Sequence, residues 1–241
     1  MPVVPSNWEL PEAILGRFGD SAGRQRAMVH DGHLLLVFHD VPEPGKPERR
    51  AILVWREPGG EWRTPEHGGG LGALEDLLLR YEKTVDKIEE AVAKATVSTD
   101  YFQILRSSAP VQRSIAHLVQ TLQAARDAIP GERKLINFRD RAAEIQRAAE
   151  LAHGEAHNGL EYEIASNAEM QAKIGHDLSV ASGKLNVIAA VFLPLTAMTS
   201  IFGMNIASGI PTNAEPLVFW GAVLSGVVIG YVMRGRLRLE G

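Results

Sequence analysis

A stripe of small and polar residues on an apolar segment near the end of the chain is the first feature that could do chemistry. Its members recur at alternating steps of four and three residues and so share one face of a helix: Ser182, Asn186, Ala189, Leu193, Thr196 and Ser200. Polar groups within a membrane normally face protein or water, because an unsatisfied group in lipid is costly. Several copies with the stripe inward would form a pore, whereas packing of small residues alone would leave the same pattern.

The segment ends in Gly203-Met204-Asn205, which places a side-chain amide at the end of a helix. The C-terminal end of a helix carries partial negative charge, so several such ends side by side favour cations. A ring of Asn205 side chains suits a hydrated hard cation such as Mg²⁺, which gives up its water reluctantly. Pro194 lies within the segment and frees the carbonyl of Ala190 from helical hydrogen bonding.

The same segment is long enough to cross a membrane, and a second apolar run follows it. Leu185–Asn205 holds about twenty residues without a charge, enough for the roughly 30 Å hydrocarbon core. The second run occupies 216–233, and the loop 206–215 between the two has no Lys or Arg. The cytoplasmic ends of both predicted spans carry basic residues: Lys184, Arg234, Arg236 and Arg238. The positive-inside rule then predicts that both termini are cytoplasmic, with 234–241 as a basic cytoplasmic tail, and that the loop with Glu215 is external.

Residues 1–70 have the pattern of a reduced α/β or mostly β head. Strands are predicted at the runs HLLLVFH and RAILVWR and near Glu61–Thr64, and a short helix within Pro11–Phe18. The N-terminus lacks the basic and apolar regions of a secretory signal, so we expect a cytoplasmic head.

Residues 71–130 change to helical periodicity in two runs, which predicts a helical hairpin. A break near Ser98-Thr99-Asp100 separates the two runs. Pro110 lies within the second run and should bend it or mark a new start after Ser107-Ser108.

The longest predicted element is one helix from Glu132 to Met204, roughly 110 Å long at 1.5 Å per residue. Its part 131–184 carries a seam at coiled-coil spacing that includes two polar positions and continues to Leu185 in the first span: Leu160, Ile164, Asn167, Gln171, Ile174, Leu178 and Leu185. Such a narrow seam favours an oligomeric stalk that continues into the first span, 185–205.

The remaining titratable residues give weaker signals. His153 and His157 share a helical face and could hold a metal, although polar stalk positions explain them better. The acids of the first hairpin helix favour a solvated face over a regulatory cation site: Glu75, Glu82, Asp86, Glu89 and Glu90. The sequence shows no persuasive catalytic arrangement, no basic and aromatic face for nucleic acid, and no cysteine, so we expect no enzyme.

The first span resembles the signature of the CorA-type magnesium transporters. The resemblance rests on FLPLT at 192–196 followed by IFGMN at 201–205, before a short loop and a final span. The stretch LEDLLLRYEKTVDKIEEAV is also similar to the family's first long cytoplasmic helix, and the resemblance covers about Leu71 to Arg238. It implies a mainly α membrane protein that assembles as a funnel-shaped homopentamer. Gly203, Met204 and Asn205 would then form the external selectivity filter.

Carried over residue by residue, the resemblance implies six pore-lining positions: Ser182, Leu185, Ala189, Leu193, Thr196 and Ser200. The stripe read from periodicity agrees except that it contains Asn186 in place of Leu185, and we keep the family register. The family's Met-Pro-Glu loop sequence is missing here, and Glu215 is either its acidic substitute or an ordinary loop carboxylate. The head is shorter than the family's domain, and the carboxylates that bind Mg²⁺ between subunits there have no match here.

The sequence therefore predicts a multi-pass inner-membrane homopentamer that conducts divalent cations, most of all Mg²⁺. Its partners are copies of itself, the lipid bilayer and the ion, with no cofactor. A divalent ion gains about 4.6 kcal/mol per 100 mV of membrane potential, so no ATP site is required. Conduction of Co²⁺, Ni²⁺ or Zn²⁺, weakly selective conduction, and a non-conducting scaffold or stress sensor are the alternatives.

Overall fold

The computed structural model describes residues 4–19, 23–43, 50–65, 70–203 and 215–237. These residues are mainly helical, with one small sheet near the N-terminus and one very long helix. Contacts divide the chain into two compact units, Met1–Ala165 and Ser166–Gly241.

Four antiparallel strands, paired in sequence order, form the sheet: β1 (Arg26–His30), β2 (His33–His39), β3 (Ala51–Arg56) and β4 (Trp62–Arg63). The last three confirm the strands predicted from the sequence, whereas β1 is not predicted there. β1 and β2 meet at a two-residue turn, Asp31-Gly32, whose φ angles are 47° and 78°. Asp-Gly suits a hairpin turn with positive φ because glycine adopts that conformation without strain.

The sheet is buried on both faces, which explains the unbroken apolar run of β2. One face packs with the N-terminal segment and helix α1 (Glu12–Leu15) in a cluster of Trp8, Leu10, Ile14, Met28, Leu35, Val37, Leu53 and Trp55. The other face joins the helical core through Leu34, Leu36, Phe38, Ile52 and Val54. Successive residues of a strand point to opposite faces, so a strand covered on both sides is apolar at every position.

Two long helices, α2 (Gly72–Lys94) and α3 (Ser98–Ala128), occupy the region of the predicted hairpin. α3 runs through Pro110 as one helix, so the expected new start after Ser107-Ser108 is wrong. Ser108 and Val111 are buried on either side of the proline. Their packing into the core offsets the hydrogen bond that proline cannot donate.

The longest helix, α4 (Arg133–Gly203), is a single element of 71 residues. Its first part joins the core formed by the sheet, α2 and α3, through a seam at steps of three, four and seven residues: Leu135, Ala142, Ile145, Ala149, Ala152 and Ala156. The alanine-rich part of the predicted stalk therefore lies in the core of its own chain. Residues 164–186, in contrast, are exposed at every position.

The last helix, α5 (Glu215–Leu237), contains the shorter apolar stretch Leu217–Val232. Among the residues that the structure describes, α4 is the one helix long and apolar enough to cross a membrane, judged by length and composition. None of its apolar window is buried. The two spans, 185–205 and 216–233, stay predictions.

Candidate functional site

The C-terminal part of α4 has a covered face and an open face. The covered face contacts α5 through Val191, Leu195 and Met198. The open face carries three residues of the predicted pore lining, Leu193, Thr196 and Ser200, and Leu193 is 68% exposed. At about 100° per residue, the two sets lie on roughly opposite sides of the helix. The second unit therefore leaves the polar stripe uncovered and packs α5 behind it.

The contact between the two helices is direct and close. The backbone of Gly230 lies next to Val191, and the backbone of Gly226 lies next to Leu195. The hydroxyl of Ser225 donates to the sulfur of Met198 at 3.5 Å. These contacts fix which face of α4 is turned away from α5.

The N-terminal end of the stripe is open as well. Ser182 and Leu185 are exposed, and Ala189 is half-buried. Asn186, the alternative to Leu185, is also exposed, and the two residues lie on either side of the line through Ser182 and Ala189. Both registers are compatible with this arrangement.

The hydroxyl of Thr196 is already used as a donor. It donates to the carbonyl of Phe192 at 2.6 Å, within the helix turn that contains Pro194. The remaining lone pairs of the Thr196 oxygen can only accept, and its side chain is exposed. An oxygen that accepts hydrogen bonds is suited to the water shell of a cation.

The predicted filter is only partly within the described residues. Gly203 is the last residue of α4, whereas Met204 and Asn205 lie outside the described residues. Glu215 is the first residue of α5. The filter role and the external acidic position stay predictions.

The two stalk histidines each have a partner within the chain. His153 Nδ1 lies 2.8 Å from the Oγ of Ser108 on α3. His157 Nε2 lies 3.3 Å from a carboxylate oxygen of Glu161, one turn further along α4. Within the described ranges, no group of three or more His, Asp or Glu side chains is arranged to hold a metal ion. These contacts give His153 a place in the packing of α3 against α4.

The acidic face of α2 forms two ion pairs with basic residues. Glu82 lies 2.7 Å from Arg141 of α4, and Glu90 lies 3.3 Å from Lys94 one turn away. Glu75, Asp86 and Glu89 are exposed. This arrangement agrees with the solvated face favoured by the sequence.

Two features that position the helices are missing from the sequence predictions. The first is the pair Gly226 and Gly230, whose G-x-x-x-G spacing in an apolar helix is a known packing signal that could have identified it. The second is the contact of Gly159 with Tyr101, for which the sequence carries no comparable signal.

Comparison with known proteins assigns the chain to a family. The model of the family described as "CorA-like Mg2+ transporter protein" matches residues 71–234. The structure of the full-length CmaX protein is 16% identical, with a TM-score of 0.52 over 89% of this chain and 77% of that one. That likeness shows a shared fold.

Two further solved structures are similar over much of the chain. The ZntB cytoplasmic domain from Vibrio parahaemolyticus RIMD 2210633 is 16% identical, with a TM-score of 0.44 over 67% of this chain and 80% of that one. The complete CorA magnesium transporter from Methanocaldococcus jannaschii is 13% identical, with a TM-score of 0.43 over 92% and 81% of the two chains. None of the curated proteins matches the chain.

Proposed function

This chain belongs to the CorA-like Mg²⁺ transporter family, and we propose that it is a membrane channel that conducts Mg²⁺. Membership of the family implies transport of divalent cations. The observation that carries the proposal is the pair of opposite faces on α4. α5 contacts Val191, Leu195 and Met198, while Leu193, Thr196 and Ser200 stay open. A pore lined by the open face needs this arrangement, because the outer helix has to lie behind the lining helix.

In the proposed assembly, five copies surround one pore in the inner membrane. The first span, 185–205, lines the pore, and the second, 216–233, lies outside it. The loop 206–215 is external, and both termini are cytoplasmic. The head 1–70, the hairpin 71–130 and the stalk 131–184 stand on the cytoplasmic side. The exposure of every residue from 164 to 186 supports the assembly of several copies, because a stalk within an oligomer is covered by neighbouring copies and not by its own chain.

The proposed filter is a ring of Asn205 side chains at the external end of the lining helices. Gly203 ends α4, so the asparagine comes shortly after the negative end of the helix dipole. Neutral amide oxygens can hold the water shell of Mg²⁺, which the ion gives up reluctantly. The membrane potential supplies about 4.6 kcal/mol per 100 mV for a divalent ion, so no cofactor is needed.

The test is Mg²⁺ flux through the purified full-length chain in liposomes with an imposed potential. Asn205→Leu should abolish flux while the amount and the oligomeric state of the protein stay the same. Thr199→Leu is the matched control, because it removes a polar group from α4 outside the predicted stripe and should leave flux intact. Undiminished flux in Asn205→Leu would remove the filter from the proposal.

The same liposomes separate the ion alternatives. Co²⁺, Ni²⁺, Zn²⁺ and K⁺ are offered singly and in competition with Mg²⁺, with and without Mg²⁺ inside. Preference for another divalent ion would leave the proposed channel function in place and identify that ion, instead of Mg²⁺, as the one conducted. Absence of any flux in the wild type would favour a non-conducting scaffold.

A further inference from the structure

The glycine surface of α5, Gly226 and Gly230, lies against α4 on both sides of Pro194. Both glycines are buried, and they stand one helical turn apart on the same face. Val191, which Gly230 contacts, precedes the proline, and Leu195, which Gly226 contacts, follows it. α5 therefore packs against α4 at Pro194, where the hydrogen bonding within α4 is interrupted.

The distances show that this contact needs glycine at one position more than at the other. A Cβ at Gly230 would lie 3.1 Å from the Cα of Val191 and 3.2 Å from its Cγ2. A Cβ at Gly226 would lie 3.4 Å from the Cδ1 of Leu195, which is an ordinary contact with the end of a flexible side chain. The atom nearest to Gly230 is the backbone Cα of Val191, which cannot turn aside. A methyl group at Gly230 therefore requires a shift of a few tenths of an ångström, and a larger side chain requires more.

The proline explains why the separation of the helices matters for the direction of α4. Pro194 cannot donate to the carbonyl of Ala190, so the helix has one hydrogen bond fewer at this turn. α4 is nevertheless a continuous helix from Arg133 to Gly203. A helix weakened at one turn takes its direction from its neighbour, and α5 is the neighbour that packs on both sides of that turn.

We propose that Gly230 is a positioning residue that sets the direction of the outer half of the pore-lining helix. This inference rests on the proposed function, because the outer half of α4 leads to the Asn205 filter. When Gly230 lets α5 approach closely, residues 195–203 keep the direction that brings five asparagines to one ring. A larger residue at Gly230 pushes Val191 away from α5, which tilts α4 at the proline and so widens or skews the ring.

The first measurement follows the helix contact itself and does not depend on transport. The chain has no native cysteine, so Met198→Cys with Ser225→Cys gives one defined pair across the contact. In the full-length protein in liposomes, a short bifunctional thiol reagent links the pair, and mass spectrometry measures the rate. Gly230→Leu should lower the rate about ten-fold, because overpacking displaces the helices. Gly230→Ala should lower the rate less.

Substitutions at two other glycines of α5, Gly221 and Gly226, supply the controls. Gly221 has open space where its side chain would be, so Gly221→Leu and Gly221→Ala should link as fast as the parent pair. Gly226→Ala should also link at the parent rate, because its new atom makes only an ordinary contact. Equal rates in Gly230→Leu and Gly221→Leu would overturn the inference.

The second measurement is the ratio of Mg²⁺ flux to K⁺ flux at equal amounts of assembled oligomer. Gly230→Leu should change this ratio, whereas Gly221→Leu should keep it. An unchanged ratio in Gly230→Leu would overturn the positioning role even if total flux falls. Absence of flux in the wild type would overturn the proposed function, and the linking rates would still decide whether Gly230 sets the helix contact.

Discussion

Gly159 of α4 lies against the aromatic ring of Tyr101 near the start of α3. A Cβ at Gly159 would lie 2.5 to 3.0 Å from three atoms of that ring. The hydroxyl of Tyr101 donates to the carbonyl of Ala95, just after the end of α2, at 3.0 Å. One side chain thus closes the turn between α2 and α3 and holds it on α4. The exposed stretch of α4 begins five residues further on, at Ile164.

Gly159→Ala is expected to destabilise the protein. Alanine normally stabilises a helix interior relative to glycine by roughly 0.5–1 kcal/mol. Here the methyl group would overlap the Tyr101 ring, and overpacking of this kind typically costs about 1–3 kcal/mol. Denaturant unfolding of the full chain in detergent measures the difference.

Gly154→Ala is the matched control for this substitution. It lies on the same helix with no neighbour within 4 Å of the new Cβ, so only the helix-propensity gain should appear. Equal stabilisation by both substitutions would show that Tyr101 does not restrict Gly159.

A buried hydrogen-bond network joins the sheet, α2 and α3. The second prediction is that breaking this network destabilises the protein. The Oγ of Ser114 lies 2.7 Å from the hydroxyl of Tyr81, and both residues are fully buried. Gln25 Nε2 donates to the carbonyl of Ser114 at 2.7 Å and to its Oγ at 3.2 Å, and the Tyr81 hydroxyl donates to the carbonyl of His39 in β2 at 3.2 Å. Ser114→Ala should lower the free energy of unfolding by about 1–3 kcal/mol, because buried polar groups lose a partner.

Ser107→Ala provides the comparison for Ser114→Ala. Ser107 is exposed, and its hydroxyl bonds only to the carbonyl of Ile104 in its own helix. Its loss should stay within about 0.5 kcal/mol, as for most surface substitutions. Thermal unfolding of both variants under the same conditions checks the difference, and similar losses would contradict a special role for the network.

The sequence predicts those parts of the fold that depend on local pattern. α4 runs unbroken because no proline interrupts it before Pro194, and β2 is recognisable because its five central residues are all apolar. The Asp31-Gly32 turn carries an equally local signal, which shows that β1 could have been predicted from sequence.

The parts that the sequence does not predict depend on which surfaces meet. Pro110 is an ordinary helix breaker by local rules, yet packing around Ser108 and Val111 keeps α3 whole. Ala149 and Ala152 lie within the predicted oligomeric stalk, but their partner is the core of their own chain. Spacing alone indicates that a face is buried and does not identify what buries it.

The opposite faces of α4 give a third prediction, on accessibility. Single cysteines at Leu193, Thr196 and Ser200 should react with a water-soluble thiol reagent, and the reaction should block Mg²⁺ flux. Cysteines at Val191 and Leu195 should react at least about ten-fold more slowly, because α5 packs over that face. The parent chain has no cysteine, so each rate belongs to one position. Equal rates on the two faces would contradict a pore lined by this stripe.

The exposed seam of α4 supplies the last prediction, which concerns assembly. Ile174 is 57% exposed and Leu178 is 67% exposed, one turn apart within 164–186. Burying an apolar side chain contributes about 1.5–3 kcal/mol, and an oligomer repeats each contact once per copy. The pair Ile174→Asn and Leu178→Asn should therefore shift the purified protein from oligomer to monomer. Light scattering after gel filtration in detergent measures the shift.

Val180→Asn is the control for the seam, because Val180 is 45% exposed on the opposite side of the same helix. It removes a similar apolar side chain and should leave the oligomer intact. The seam follows heptad spacing in that part of α4 which no residue of its own chain buries, so a second copy is the partner that its pattern fits. If Val180→Asn dissociates the oligomer as strongly as the seam pair, the copies meet through another face of α4.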